Sequence, residues 1–292
     1  MNKERAGTLM KWATRAAMSV ALCLVAIKFV AWWRSGSVAM QGSLADSILD
    51  LTASIVTFFA VKTALVPADD DHRFGHGKAE ALAGLFQSAI MAGSAVFLFL
   101  ESINRVWEPK ASVASELVIG VSVLAIALSL CLVMFQAYVV KQTRSLAIAG
   151  DHLHYKGDLA MNLGVVIAAY AGSIGYIYAD GIFGALIAFY IIWGARDVAM
   201  PAIDMLMDKE MSESERNKII KMAVGNASVL GLHELKTRMS GRDYFIQMHL
   251  EVDGNLTVQE GHDISEAVEG HIAEEYPEAE ILIHIDPPVS DL

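Results

Sequence analysis

Four residues with carboxylate or imidazole side chains stand out because they interrupt stretches that are otherwise apolar. Asp46 and Asp50 lie four residues apart, and His154 and Asp158 repeat this spacing much later in the chain. On an α-helix, residues four apart lie on one face, about one turn from each other. If the two helices pack side by side, three carboxylates and one imidazole converge, and these ligand types suit zinc and related divalent cations.

The cost of placing these groups in a membrane favours a bound cation. A charged side chain at the centre of a bilayer costs roughly 2.5–3.5 kcal/mol even on insertion scales, and two carboxylates one turn apart also repel each other. The alternative is that the four residues are separate polar groups that line helix contacts or lie near the membrane surface. Two pairs with the same spacing on separate spans favour the metal site.

A second group of possible ligands lies in the segment ADDDHRFGHGKAE. Gly75 and Gly77 indicate a flexible loop. Acidic and imidazole side chains follow one another closely in it, namely Asp69, Asp70, Asp71, His72 and His76. A plain solvated loop is the alternative interpretation.

The last 84 residues hold a third group of six possible ligands. His284 and Asp286 alternate on a predicted strand and therefore point to the same face. A single surface histidine is usually inert, but a cluster across three strands favours metal binding. The six residues are His233, His249, His262, His271, His284 and Asp286.

The elements that carry these residues are predicted to be mostly membrane spans. The 292-residue chain is 54% hydrophobic, with a mean hydropathy of +0.43, which is high for a soluble domain. Lys and Arg are concentrated before the first apolar run and in alternate connections, so both termini are expected in the cytoplasm. Six apolar runs approach the length needed to cross the membrane as helices, at about 12–33, 37–63, 79–100, 117–140, 159–178 and 182–200.

After the sixth run the composition changes to that of an acidic soluble domain. Residues 209–292 contain 17 acidic and 7 basic residues, and such a field disfavours nucleic acid and attracts cations. Alternation and helix signals predict the order α-β-β-α-β. We therefore predict an all-α six-helix transmembrane domain, residues 1–208, followed by a small α+β cytoplasmic domain, residues 209–292.

Other classes of protein fit the sequence less well. A metalloprotease would need a second histidine where HELKT has Thr237, on a helix rather than on the predicted strand, so we do not expect an enzyme. A passive metal channel or a membrane metal sensor would also explain buried ligands, and both stay open as alternatives.

Five stretches of the chain together resemble the cation diffusion facilitator family, in its bacterial zinc and ferrous-iron efflux branch. They occur in the order and spacing typical of the family and are distributed over both the apolar part and the tail of the chain. They are SLADSILD, PADDDHRFGHGKAE, LHYKGD, KTRMSGRDYFIQMHLE and IHIDP.

The resemblance implies a homodimer of six-span protomers in the inner membrane of a bacterium, with metallochaperone-like cytoplasmic domains. It assigns the exported ion to Asp46, Asp50, His154 and Asp158, and a loop site to Asp69, His72 and His76. It also implies a hydrophobic gate at Leu153 and a charge interlock between protomers through Lys78 and Asp208. The remaining assignment is a binuclear cytoplasmic site formed by His233, His249, His262, His284 and Asp286.

One residue departs from the family pattern, since Ile285 stands where glutamine is frequent. Isoleucine cannot coordinate a metal, so one cytoplasmic ion is expected to bind more weakly. His271 matches no role in the family and is expected at the surface.

A transport mechanism follows from the ligand types. Metal binding needs neutral imidazole and ionised carboxylates, so protons and metal compete for the same site, and His154 is the expected site of proton coupling. We predict a proton-coupled antiporter that exports Zn²⁺, with Cd²⁺ and Fe²⁺ as other possible cations. Metal on the acidic cytoplasmic domain is expected to regulate transport by linkage.

Overall fold

A computed structural model describes residues 3–35, 38–107, 116–173, 176, 178–277 and 279–288. It contains eight α-helices and three β-strands within the described residues. The elements are α1 (Lys3–Ser35), α2 (Val38–Ala64), α3 (Lys78–Trp107), α4 (Glu116–Thr143), α5 (Leu146–Ser173), α6 (Ala179–Leu206), α7 (Glu213–Val224), β1 (Gly231–Ser240), β2 (Asp243–Glu251), α8 (Val258–Glu275) and β3 (Ala279–Asp286).

The chain divides into two compact units. The helical unit comprises Met1–Pro67 and Ala79–Ile203, and the tail unit comprises Ala68–Lys78 and Asp204–Leu292. The loop between α2 and α3 therefore belongs to the tail unit. The tail unit thus consists of two separate segments of the chain, whereas the sequence analysis divided the chain at one point only. The predicted domain boundary after residue 208 stays a prediction.

Five helices are long and apolar enough to cross a membrane by length and composition, within the part of the chain that the structure describes. They correspond to five of the six predicted spans. The fifth predicted span, residues 159–178, overlaps α5, which is not among them; the first half of α5 holds polar and charged residues such as His154, Lys156 and Asp158. This helix begins at Leu146, well before the apolar run predicted from residue 159, since the polar segment is part of the same helix. Residues 174, 175 and 177 of that predicted span lie outside the described residues.

The outer surface of the helical unit is apolar. Large side chains such as Phe97, Met134 and Trp193 are more than half exposed. Contiguous exposed apolar surface of this kind is rare in soluble proteins. It is the surface expected of helices whose backbone groups are satisfied internally and whose side chains face lipid.

The interior of the helical unit is organised around α5. One cluster joins Ile148 of α5 to α1, α2, α3 and α4, a second joins Leu153 to α3 and α6, and a third joins Tyr155 to α1 and α4. Because α5 takes part in all three clusters, its rotation about its own axis is fixed from several sides. That rotation decides which way His154 points.

The tail unit is a three-stranded sheet with two helices on one face, as the predicted order α-β-β-α-β requires. The strand order is β1-β2-β3, with β1 and β2 antiparallel and β2 and β3 parallel. Inward residues such as Ile246, Met248 and Leu250 pack against Val268 and Ile272 of α8. The alternate residues of each strand therefore form an open face.

The register of the sheet aligns three histidines on this open face. His233 pairs with His249, and His249 pairs with His284. Between His233 and Lys236 the register of β1 shifts, and Glu234 adopts a left-handed conformation with φ of 48°. This β-bulge adds one residue to β1 and turns His233 toward the other two imidazoles.

The loop of the tail unit rests on the turn of the β1–β2 hairpin. Phe74 meets Phe245 edge to face, with ring centroids 5.5 Å apart, and the guanidinium of Arg238 lies 4.5 Å from the centroid of the Phe74 ring. A Cβ atom on Gly77 would lie 2.2 Å from the carbonyl oxygen of Ser240. Only glycine therefore allows the two backbones to approach this closely.

Gly77→Ala is expected to destabilise the tail unit by about 1–3 kcal/mol, the usual cost of overpacking. Gly270→Ala is the matched control, because nothing lies within 4 Å of a Cβ atom there and the residue is in the helix α8. The control should stabilise the unit by about 1 kcal/mol. Denaturant unfolding of the full chain would measure both changes, and equal effects would contradict the packing described.

Candidate metal sites

The helical unit brings one residue of α2 and two of α5 together in its interior. Nε2 of His154 lies 2.8 Å from Oδ1 of Asp50 and 3.6 Å from Oδ2 of Asp158. One ligand atom from each residue lies within 4.8 Å of the others. His154 is only 8% exposed, so the group combines two carboxylates and an imidazole where little water reaches them.

Asp46 is the fourth residue predicted for this site, and it stays outside the compact group. Its side chain is exposed, one turn before Asp50 on α2. The spacing places it on the same face of the helix as Asp50.

A lysine that the sequence analysis did not consider lies beside these carboxylates. Nζ of Lys28, within α1, donates hydrogen bonds to the hydroxyl of Ser47 at 2.6 Å and to the carbonyl of Ser43 at 3.2 Å. Ser47 is adjacent to Asp46 in the sequence, so a fixed positive charge stands next to the acidic face of α2. The signal was available, since a lone lysine inside an apolar run is uncommon.

A buried carboxylate one turn before His154 was also missed. Asp151 is 1% exposed and accepts hydrogen bonds from the amide of Gln136 at 2.6 Å and from the hydroxyl of Ser54 at 3.4 Å. The Ser54 hydroxyl oxygen also lies 3.1 Å from the Tyr155 hydroxyl, which is within donating distance of the carbonyl of Ala17. This network links α1, α2, α4 and α5, and it fixes the face of α5 that carries the candidate ligands.

Leu153, the predicted gate, is buried beside the histidine. It packs with Ile191, Ala195 and Val198 of α6, and a Cβ atom on Gly194 would lie 2.4 Å from Cδ1 of Leu153. Glycine at position 194 therefore provides the space that the leucine side chain occupies.

The loop of the tail unit brings the residues of the second candidate group close together. Asp69 lies 3.3 Å from Nε2 of His76 and 3.5 Å from Nδ1 of His72, and the three offer ligand atoms within 4.8 Å of one another. Asp69 accepts a hydrogen bond from the backbone amide of His72, which lowers the pKa of its carboxyl below the ordinary value. Asp70 instead pairs with Arg73 at 2.9 Å and faces solvent.

The third group lies on the open face of the sheet. Oδ2 of Asp286 is 2.8 Å from Nδ1 of His249 and 3.3 Å from Nε2 of His233, and its other oxygen is 3.2 Å from Nε2 of His284. The hydrogen bond with His249 is the main cause that lowers the pKa of Asp286. Glu251, which the sequence analysis missed, lies 3.1 Å from Nδ1 of His233. It could not be predicted as a neighbour of His233, because that requires the register of β1 against β2, in which Glu251 lies opposite Gly231.

His262 does not join this group within the described chain. It is exposed on α8, where its Nε2 lies 3.5 Å from Glu266, and α8 covers the opposite face of the sheet. His271 is exposed as expected. Ile285 also points toward α8, since its Cδ1 lies 3.5 Å from a Cβ atom built on Gly261, so position 285 faces away from the imidazoles.

Lys78 and Asp208, predicted to interlock two protomers, form an ion pair within one chain. Nζ of Lys78 lies 2.8 Å from Oδ1 of Asp208, and a nitrogen of Arg238 lies 3.2 Å from the same oxygen. Partial burial opposes ionisation of Asp208, but the hydrogen bonds from Lys78 and Arg238 outweigh it and lower the pKa. The carboxylate thus joins the start of α3 to β1 within the tail unit.

A bundle of long apolar helices that encloses carboxylates and an imidazole, followed by an acidic α+β unit with more such groups, is the design of a multi-pass membrane protein that transports cations. Two family models identify the family within this class. The model described as the cation efflux transmembrane domain matches residues 14–207, and the one described as the cation efflux protein cytoplasmic domain matches residues 211–288. The chain therefore belongs to the cation efflux family, which confirms the resemblance drawn from the motifs.

Relatives with the same organisation extend over almost the whole chain. The cation-efflux pump FieF of Shewanella oneidensis is 44% identical over 277 residues, which cover 95% of this chain and 94% of the relative. The cation-efflux pump FieF of Salmonella arizonae is 41% identical over 281 residues, covering 96% and 94%. A solved structure of a putative zinc transporter, CzrB, is 29% identical and covers 26% of this chain and 96% of its own, with a TM-score of 0.26.

Proposed function

We propose that this protein is a proton-coupled antiporter that exports divalent metal cations from the cytoplasm, with Zn²⁺ as its main substrate. The observation that carries the proposal is the buried group of Asp50, His154 and Asp158 inside the helical unit. The names of the relatives, which describe efflux pumps, support the outward direction of transport.

The ligand set supports Zn²⁺ as the substrate. Nitrogen and carboxylate oxygen are usual zinc ligands, and a tetrahedral site needs four of them. Asp46 would supply the fourth, since it lies on the same face of α2 as Asp50, one turn away. The same set could accept Cd²⁺ or Fe²⁺, because affinity order alone does not select a metal.

Proton coupling is assigned to His154. Nε2 of this residue can hold either a proton or the metal, and its contacts with Asp50 and Asp158 place it at the centre of the group. Protonation from the outer side would therefore release the ion, and loss of the proton on the cytoplasmic side would restore the site. The helices would alternate between two arrangements around this centre, with Leu153 as the hydrophobic gate beside it.

The tail unit is assigned a regulatory role in a homodimer. Metal bound by His233, His249, His284 and Asp286, with His262 as a further ligand, would neutralise part of the negative charge of the tails and favour a compact dimer. The loop group of Asp69, His72 and His76 would bind a further ion. We place the protein in the inner membrane of a bacterium with both termini in the cytoplasm, and assign Lys78 and Asp208 to the contact between protomers.

Transport into proteoliposomes tests this function against a channel or a sensor. With equal zinc on both sides and a lumen more acidic than the bath, transporters whose cytoplasmic side faces the bath should accumulate zinc in the lumen. Collapse of the pH gradient by a protonophore should abolish the accumulation. Zinc movement that only follows its own gradient would indicate a channel, and the absence of movement would favour a sensor.

A further inference from the structure

We propose that Met91 is a positioning residue for the transported ion, because its sulfur orients the imidazole of His154. This inference rests on the proposed function, in which His154 binds the ion. Sδ of Met91, on α3, lies 3.0 Å from Nδ1 of His154, while Nε2 faces Asp50 and Asp158 on the opposite side of the ring. The two nitrogens thus have separate partners.

The packing around Met91 holds its sulfur in this position. The side chain is 3% exposed and belongs to the cluster that includes Leu153 and Ile191. A Cβ atom on Gly157 would lie 2.9 Å from the terminal methyl group of Met91. Glycine on the facing turn of α5 therefore provides the space in which the thioether lies against the histidine.

The chemistry of imidazole explains why this contact matters for metal binding. A neutral imidazole uses the lone pair of one nitrogen for the metal and carries a hydrogen on the other, which needs an acceptor when it is buried. When an ion occupies the space between Nε2 and the carboxylates, the hydrogen belongs on Nδ1, and the sulfur of Met91 accepts it. The contact therefore selects the tautomer and the ring orientation that present the Nε2 lone pair to the ion.

The choice of a thioether also sets the strength of binding. The second nitrogen of a metal-binding histidine usually donates to a carboxylate or a backbone carbonyl, which makes the ring a better ligand. A thioether is only a weak acceptor, so it orients the ring and adds little to its basicity. A site that must release its ion in every cycle benefits from this combination.

A double-mutant cycle tests whether Met91 acts through His154. Zinc affinity would be measured by chelator competition on the purified full chain, with His76→Ala and His249→Ala present throughout to weaken the loop and tail groups. Met91→Leu keeps the size of the side chain and removes the acceptor. It should weaken binding roughly tenfold, the lower end of the 10–100-fold range for lost partners of metal ligands, and it should have no effect when His154→Ala is also present.

Two further variants separate positioning from packing. Met91→Gln has similar length and a stronger acceptor, so its affinity should equal or exceed that of the unsubstituted residue. Met10→Leu is the matched control, because Met10 is fully buried in another cluster of the helical unit, and it should leave the affinity unchanged.

The outcomes distinguish this inference from the proposed function. If His154→Ala leaves zinc affinity unchanged, the proposed transport site is wrong and the inference falls with it. If His154→Ala weakens binding but Met91→Leu does not, or weakens it equally in both backgrounds, the inference alone is overturned. Should Met91→Leu fail to fold, Met91→Gln decides the matter, since a tenfold loss in that variant would contradict a role as acceptor.

Discussion

Asp50→Asn is expected to reduce zinc transport at least about 100-fold. The substitution preserves the size of the side chain but removes the negative charge that lies 2.8 Å from Nε2 of His154. Loss of one partner from a buried set of charged groups costs roughly 3–5 kcal/mol, and each 1.4 kcal/mol is a factor of ten in affinity. Initial rates of zinc uptake into proteoliposomes, over a range of zinc concentrations, would measure the loss.

Asp197→Asn is the matched control for this prediction. Asp197 is an exposed residue of α6 that lies 3.9 Å from Arg196, and surface ion pairs contribute little. Its transport rate should stay within a factor of about two of the unsubstituted chain. Normal transport by Asp50→Asn at all zinc concentrations would remove the basis for the intramembrane site.

His249→Ala is expected to abolish the stabilisation of the tail unit by zinc. His249 is the middle one of the three imidazoles on the open face of the sheet, and it contacts Asp286 at 2.8 Å. Its loss therefore removes a ligand from the middle of the group. A ligand at 100 times its dissociation constant stabilises the folded state by about 2.7 kcal/mol. For amides of β2 that exchange through unfolding of the unit, zinc should therefore slow hydrogen exchange about 100-fold, and His249→Ala should show almost no slowing.

His271→Ala provides the comparison for this experiment. His271 is exposed on α8, away from the open face of the sheet, so zinc should protect that variant as it protects the unsubstituted chain. Mass spectrometry of peptides from the full chain gives the exchange rates. Undiminished protection in His249→Ala would show that zinc stabilises the tail unit through other residues.

Regular patterns in the sequence predicted those features of the structure that depend on the geometry of a single helix or strand. The repeated spacing of four residues predicted that Asp46 and Asp50 share one face of α2 and that His154 and Asp158 share one face of α5. Alternation along the tail predicted its order of elements, and the pattern of His284 and Asp286 predicted their shared face. In each case, the geometry of one element decides which side chains point the same way.

The parts that could not be predicted depend on contacts between elements distant in the sequence. Lys28 reaches the acidic face of α2 only because α1 packs beside it, and Asp151 accepts a hydrogen bond from Gln136 of a different helix. Met91 has no distinguishing feature in a helix rich in apolar residues. The position of His262, outside the imidazole group, likewise follows from the face of the sheet that α8 covers.

The single extra residue in β1 means that the metal group of the tail unit depends on the backbone conformation at Glu234 as well as on ligand identity. Without the bulge at Glu234, strict alternation would turn His233 to the side occupied by Leu235, which is buried in the hydrophobic core. If β1 kept its length but lost the bulge, His233 would leave the open face although every histidine remained in the sequence, whereas deletion of Glu234 would restore strict alternation with His233 still opposite His249. Homologues that retain all the histidines and the extra residue, but carry there a β-branched residue that disfavours the left-handed conformation, would be expected to bind fewer ions or to bind them less tightly, a difference that a comparison of ligand residues alone would miss.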